Sequence, residues 1–238
     1  MKTAITINDK PVEVPSDWGE ISYGQFLRLK DAGTDAKVLH VFTGVDSHYF
    51  EDIAPNVLQA ILLPTYELGE VPTIDEPLIL GKSVPTAIGK MEYARKVNCD
   101  NLQKKYEDEE MVGRMVAIYC ADGIEDEDIE ATHNEILNEP ITQVISAGKV
   151  ISDQLIELQK SEENIPSPQY ESEELRAGIK EFTKYGVFGL VRGIALRHGC
   201  TMDEVYKWSY NSVLLELRIS AEENAYQRKL NKILSKQK

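Results

Sequence analysis

Residues 140–160 read PITQVISAGKVISDQLIELQK, and apolar side chains recur through them at helical intervals. That spacing describes a long amphipathic helix, so the chain must supply something for its apolar face to pack against. The same periodicity begins near residue 90 and includes MVGRMVAIYC, residues 111–120, its most apolar stretch. Residues 90–160 are therefore expected to form a helical region.

What precedes it is mixed. Residues 3–14 alternate apolar and polar side chains on both sides of Asn8-Asp9-Lys10, the pattern of an antiparallel hairpin. Ser22 can cap a helix that carries Phe26 and Leu29 and stops at Gly33, with Trp18 packed across its start. A second helix ends at Gly44, and a third starts near Pro55 and is expected to break at Pro64. Pro72, Pro77 and Pro85 forbid a helix across 65–89, where PLILGKSVP reads as a strand able to join the opening hairpin. Residues 1–89 thus read as a small α+β unit. After 160, SEENIPSPQYESEE has the composition of an exposed linker, 161–174. Residues 175–238 read as a long helical hairpin: Leu175, Ile179, Phe182, Leu190 and Ile194 lie along the first helix, and the second starts near Met202 and runs past Leu230. The expected fold class is α+β and predominantly α-helical, with a small N-terminal antiparallel sheet.

Charge narrows the function. The chain carries a net −14, which repels nucleic acid and anionic membranes at long range. Residues 175–238 run against that trend, with 12 basic and 6 acidic groups, whereas 91–174 hold 7 and 21. The basic end has an acidic partner available within its own chain. No apolar run reaches transmembrane length and the first residues build no signal-peptide core, so a soluble, intracellular protein is expected. Cys99, Cys120 and Cys200 are scattered and odd in number, which suits free thiols.

Catalytic and ligand motifs fail in turn. GKS at 81–83 lacks the glycine five residues earlier that a phosphate loop needs, since Glu76 stands there. Gly186, Gly189 and Gly193 follow no strand and miss the dinucleotide spacing. DGIEDEDIE places Glu127 and His133 where a calcium loop requires glycine and glutamate, and it reads instead as an acidic helix start. His40, His48 and His133 have no spacing that presents a metal site. A DNA-reading helix after residue 201 would begin with Asp203 and Glu204, the wrong charge for base edges. The expectation is a non-enzyme with no metal and no cofactor.

LRHGCTMDEVYKWSY, residues 196–210, concentrates reactive residue types yet parses as one helix ending and another starting. Gly199 supplies a left-handed stop, Thr201 and Glu204 form a capping box, and Cys200 and Val205 hold the positions of a hydrophobic staple. Gly186, Gly189 and Gly193, with Tyr206 and Tyr210, mark the candidate partner-binding helix face, where small residues let a second helix approach, and the exposed side of the hairpin's second helix is the alternative.

Four stretches, DWGEISYGQFLRL, LHVFTGVD, MVGRMVAIYCADGIEDEDIE and PITQVISAGKVISDQLIEL, resemble in that order small proteins of tailed bacteriophages, especially phages of Bacteroidetes-like hosts. The resemblance spans about residues 15–160 and points to tail assembly chaperones and other virion morphogenesis factors. It implies protein contacts with a virion or tail partner such as a tape-measure protein, in the cytoplasm of the bacterial host or in the virion. It carries no catalytic residues, and a homo-oligomer is compatible with it. Two other readings stand beside it: a virion or cargo component retained in the particle, and a nucleic-acid-binding regulator acting through 175–238.

Overall fold

A computed structural model describes residues 3–7, 10–102, 104–106, 108–165 and 172–235. The fold is α+β and predominantly helical. Strands β1 (Thr3–Ile7) and β2 (Lys10–Val14) pair antiparallel, Thr3 opposite Val14 and Ile7 opposite Lys10. Helices α1 (Tyr23–Leu29), α2 (Asp35–Thr43), α3 (His48–Glu51) and α4 (Pro55–Tyr66) follow. Strands β3 (Leu78–Ile79) and β4 (Lys82–Ser83) form a second small hairpin. Then come α5 (Tyr93–Leu102), α6 (Asp108–Cys120), α7 (Asp126–Ile136) and α8 (Ile141–Glu163). The chain finishes through α9 (Ser172–Arg176), a 3-10 stretch at Ile179–Tyr185, α10 (Gly186–His198), α11 (Met202–Tyr206) and α12 (Tyr210–Ser235). Among the described residues no helix is long and apolar enough to cross a membrane.

These elements divide into two compact units, one of residues 1–85 with 102–151, the other of residues 86–101 with 152–238. The boundaries differ from the expected 1–89, 90–160, 161–174 and 175–238, because α5 and α8 each begin in one unit and end in the other. The expected linker is helical at its start, since α8 runs to Glu163, and helical again from Ser172. Its centre, 166–171, lies outside the described residues, as do Asn8 and Asp9 of the first hairpin turn.

In the first unit, Val12 and Val14 of β2 pack with Ala36 and Leu39 of α2, Phe50 of α3 and Leu58 and Leu62 of α4. Ser22 caps α1 reciprocally with Gln25, and α1 ends at Leu29; Gly33, at φ 63°, turns the chain afterwards. Two expectations need correction here. Pro64 does not end α4, which continues to Tyr66; a proline so near the end removes only one of the helix's hydrogen bonds. PLILGKSVP does not join the opening hairpin. Leu80 and Gly81 both take positive φ, 52° and 72°, and fold β3 back onto β4 instead.

The second unit has its own core: Tyr93 of α5, Val191, Ile194 and Ala195 of α10, Val205 of α11, and Tyr210, Val213 and Leu214 of α12. The expected two-helix hairpin is broken into more pieces. Gly178 and Gly186, with φ of 83° and 45°, interrupt its first arm, which also includes the 3-10 stretch. The second arm stops at Tyr206 and restarts at Tyr210, because Ser209 leaves the helix to form a β-bridge with Glu92.

That bridge has a counterpart. In the first unit Ser22 bridges Pro140, the Tyr23 N–H donates to Glu139 O at 2.8 Å, and the Ile141 N–H donates to Ile21 O at 2.9 Å. In the second, the Tyr93 N–H donates to Trp208 O at 2.8 Å and the Tyr210 N–H donates to Met91 O at 2.9 Å. Each bridge joins the start of a tyrosine-led helix, preceded by a 3-10 turn, to the start of a long one, α8 or α12. Between them each unit has a 13-residue helix, α6 or α10, and a shorter one, α7 or α11. The same supersecondary arrangement therefore occurs twice. Its sequence trace is short: GEISY at 19–23 and GKMEY at 89–93.

Candidate functional site

The stretch 196–210 is built as a helix junction. Gly199 caps α10 at φ 65° and donates its N–H to Ala195 O, satisfying a carbonyl the helix leaves open. The Glu204 N–H donates to Thr201 Oγ1, while Glu204 Oε2 accepts from the Thr201 N–H at 2.7 Å. Those bonds from Thr201 hold the Glu204 carboxyl below its ordinary range. Cys200 is half-buried and packs with Met202 on the cluster that contains Val205, so the thiol is a packing group. Burial pushes the Cys99 thiol up to about 11, which leaves it protonated and weakly nucleophilic at neutral pH.

The residues of the expected helix face separate. Gly186, Gly189 and Gly193 lie exposed on α10, and a Cβ added at Gly186 or Gly193 would meet nothing within 4 Å. No described element uses these glycines for a close helix approach. Tyr206 is half-buried and stacks on Tyr93 at 6.4 Å between ring centres. Tyr210 is only 2% exposed and donates its hydroxyl to Glu162 at 2.5 Å, which places it in the core and removes it from any docking face.

The histidines tested for chemistry do not converge, and among the described residues no three His, Cys, Asp or Glu side chains gather where they could hold a metal ion. His48 pairs with Asp46, and His40 Nδ1 lies 2.9 Å from Val45 O. His133 is buried, and its Nε2 has no hydrogen-bond partner among the described residues.

What the second unit does present is apolar surface. Along α12, Leu215, Ile219, Tyr226 and Ile233 are 56, 39, 61 and 56% exposed. Their spacing of 4, 7 and 7 residues puts all four on one face of the helix. The stripe begins beside a groove of about 500 Å³ lined by His198, Trp208, Ser209, Ser212, Leu215 and Glu216. His198 Nε2 contacts Glu216 Oε2 at 2.9 Å, and its ring meets Trp208 edge-on at 5.1 Å, so one wall of the groove is held in place.

This chain matches no protein-family model, no curated protein and no solved structure. The groove and stripe are therefore characterised by their chemistry alone. They offer hydroxyls, an aromatic edge, the His198–Glu216 pair and aliphatic side chains. Scanning for catalytic motifs could not have found it. The available signal was the apolar spacing of Leu215, Ile219, Tyr226 and Ile233 in a helix whose other exposed positions are mostly polar, Leu234 being exposed as well.

Proposed function

We propose that this chain is a non-enzymatic phage assembly protein that works through protein–protein contacts, in the manner of a tail assembly chaperone for a tape-measure-like partner. The observation that carries the contact role is the exposed apolar stripe Leu215, Ile219, Tyr226 and Ile233 on α12. A partner with an apolar surface can lie along it, burying side chains that otherwise face water. The phage setting rests on the resemblance of residues 15–160 to virion morphogenesis proteins. An assembly factor acts in the host cytoplasm and leaves before the particle is complete.

The test is a tagged chain expressed in phage-infected cells. Capture of a tail or virion protein, lost when Ile219 and Tyr226 are both changed to glutamate, is the expected result. Recovery of no virion protein would sink the phage role; recovery undiminished in the double variant would remove the stripe from it. Mass spectrometry of purified virions should find the chain absent, and its presence at stoichiometric level would make it a particle component instead.

A further inference from the structure

The two copies of the bridged arrangement differ in what lies on the long helix. Counted from bridge residues Pro140 and Ser209, the third and sixth positions are Gln143 and Ser146 in α8, and Ser212 and Leu215 in α12. On α8 those positions hold a non-helical segment of the chain itself. Ser146 Oγ accepts from the Ile74 N–H at 2.8 Å, and Gln143 Oε1 accepts from the Leu78 N–H at 2.9 Å. Lys82, at the end of the same segment, donates to Asp122 in the turn after α6 at 2.8 Å. Ile79 is 1% exposed, so the segment is anchored by side chain as well as by backbone. On α12 the equivalent positions open into the groove, where no described segment lies.

We propose that this groove docks a non-helical segment of a partner protein, seated on α12 as residues 74–79 are seated on α8. The inference rests on the reading that the chain works through protein contacts, and it adds the form the partner takes at this point. Ser212 Oγ, exposed and 2.7 Å from Ser209 Oγ, offers an acceptor for an incoming backbone N–H, in the role Gln143 has on α8. Leu215 replaces Ser146, so the site exchanges one polar contact for an apolar one and selects a segment with an aliphatic side chain against Leu215 and Trp208. A second copy of this chain is a poor source, because its own segment is already held on its own α8.

The test uses the full chain and a fluorescent synthetic peptide of residues 72–83, PTIDEPLILGKS, as the probe, read by anisotropy. Binding is expected in the micromolar to millimolar range, weakened at least tenfold by Leu215→Glu. The substitution is at a 56% exposed position, and circular dichroism checks that the fold survives. A second variant, Ser212→Ala, should weaken binding less, by about threefold to tenfold, as loss of one hydrogen bond does. No binding by the unaltered chain, or binding insensitive to Leu215→Glu, overturns the proposal. So does concentration-dependent self-association abolished by Leu215→Glu, which would make a second copy the occupant. Peptide bound at the groove with no virion protein captured from infected cells would keep the docking site and discard the phage role.

Discussion

Gly113 and Gly193 both sit inside helices, yet a methyl group added at each meets opposite surroundings. At Gly113 it would approach Tyr23 Cε1 to 2.3 Å, in a place where the Tyr23 hydroxyl accepts the Gly113 N–H at 2.9 Å and donates to Glu109 O. Gly113→Ala should therefore cost roughly 1–3 kcal/mol through overpacking and the lost bond. Gly193→Ala meets nothing and should instead stabilise by roughly 0.5–1 kcal/mol, the helix preference of alanine; urea midpoints for the pair check both signs. The sixth residue of α10, which matches Gly113 in α6, is Val191, and Tyr93 accordingly stacks with Tyr206 and Tyr210 instead of reaching the helix backbone. His133 supplies a pH dependence. Burial first, and then the charge of Arg114, hold its imidazole below the ordinary value of 6.5. As pH falls through about 6.5 the unfolded chain takes up a proton that the folded chain refuses, so stability drops in that window. Comparing urea midpoints at about pH 7.5 and about pH 5.5 should show this loss, reduced in His133→Leu, where no ring nitrogen is left to protonate. Neither effect was legible from sequence, since a glycine in a helix and a lone histidine take their meaning from what packs on them.

Turn chemistry at the level of single elements was more legible. The capping box of Thr201 and Glu204 and the left-handed Gly199 follow from residue types at fixed offsets, because each bond spans only a few positions. Thr201→Ala should cost about 1 kcal/mol in equilibrium unfolding. Where that helix would stop again was not legible: the break at Lys207–Ser209 depends on a bridge to Glu92, more than 100 residues earlier in the chain. The hairpin of β3 and β4 shows the same division. Leu80 takes a positive φ of 52° beside Gly81, a conformation that a leucine side chain resists, so Leu80→Asn should raise the melting temperature by relieving strain of up to about 1 kcal/mol. A leucine at that position gave the sequence no turn signal. In α12 the buried positions are Tyr210, Val213 and Leu214, all in the first two turns, and the residues after Ala221 are nearly all exposed. Hydrogen exchange should accordingly be slow at the start of α12 and fast over its last three turns.

For the whole molecule, each of the two units has a hydrophobic core and a tryptophan of its own, Trp18 in the first and Trp208 in the second. Val213→Ala, at a fully buried position of the second core, should lower the unfolding free energy reported by Trp208 fluorescence in urea by roughly 1–2 kcal/mol. Single-tryptophan variants should show a smaller change for Trp18. Equal shifts at both would mean that the units unfold as one. The helical class, the first hairpin, the caps and the absence of familiar catalytic motifs were all set by the sequence alone. The physical reason is range: periodicity, capping and turn preference act within a few residues. The domain boundaries, the repeated bridge and the difference between an occupied α8 and an α12 on which no described segment lies were decided only in three dimensions. Each depends on which distant segments meet, and five-residue traces such as GEISY and GKMEY do not say what they will be hydrogen-bonded to.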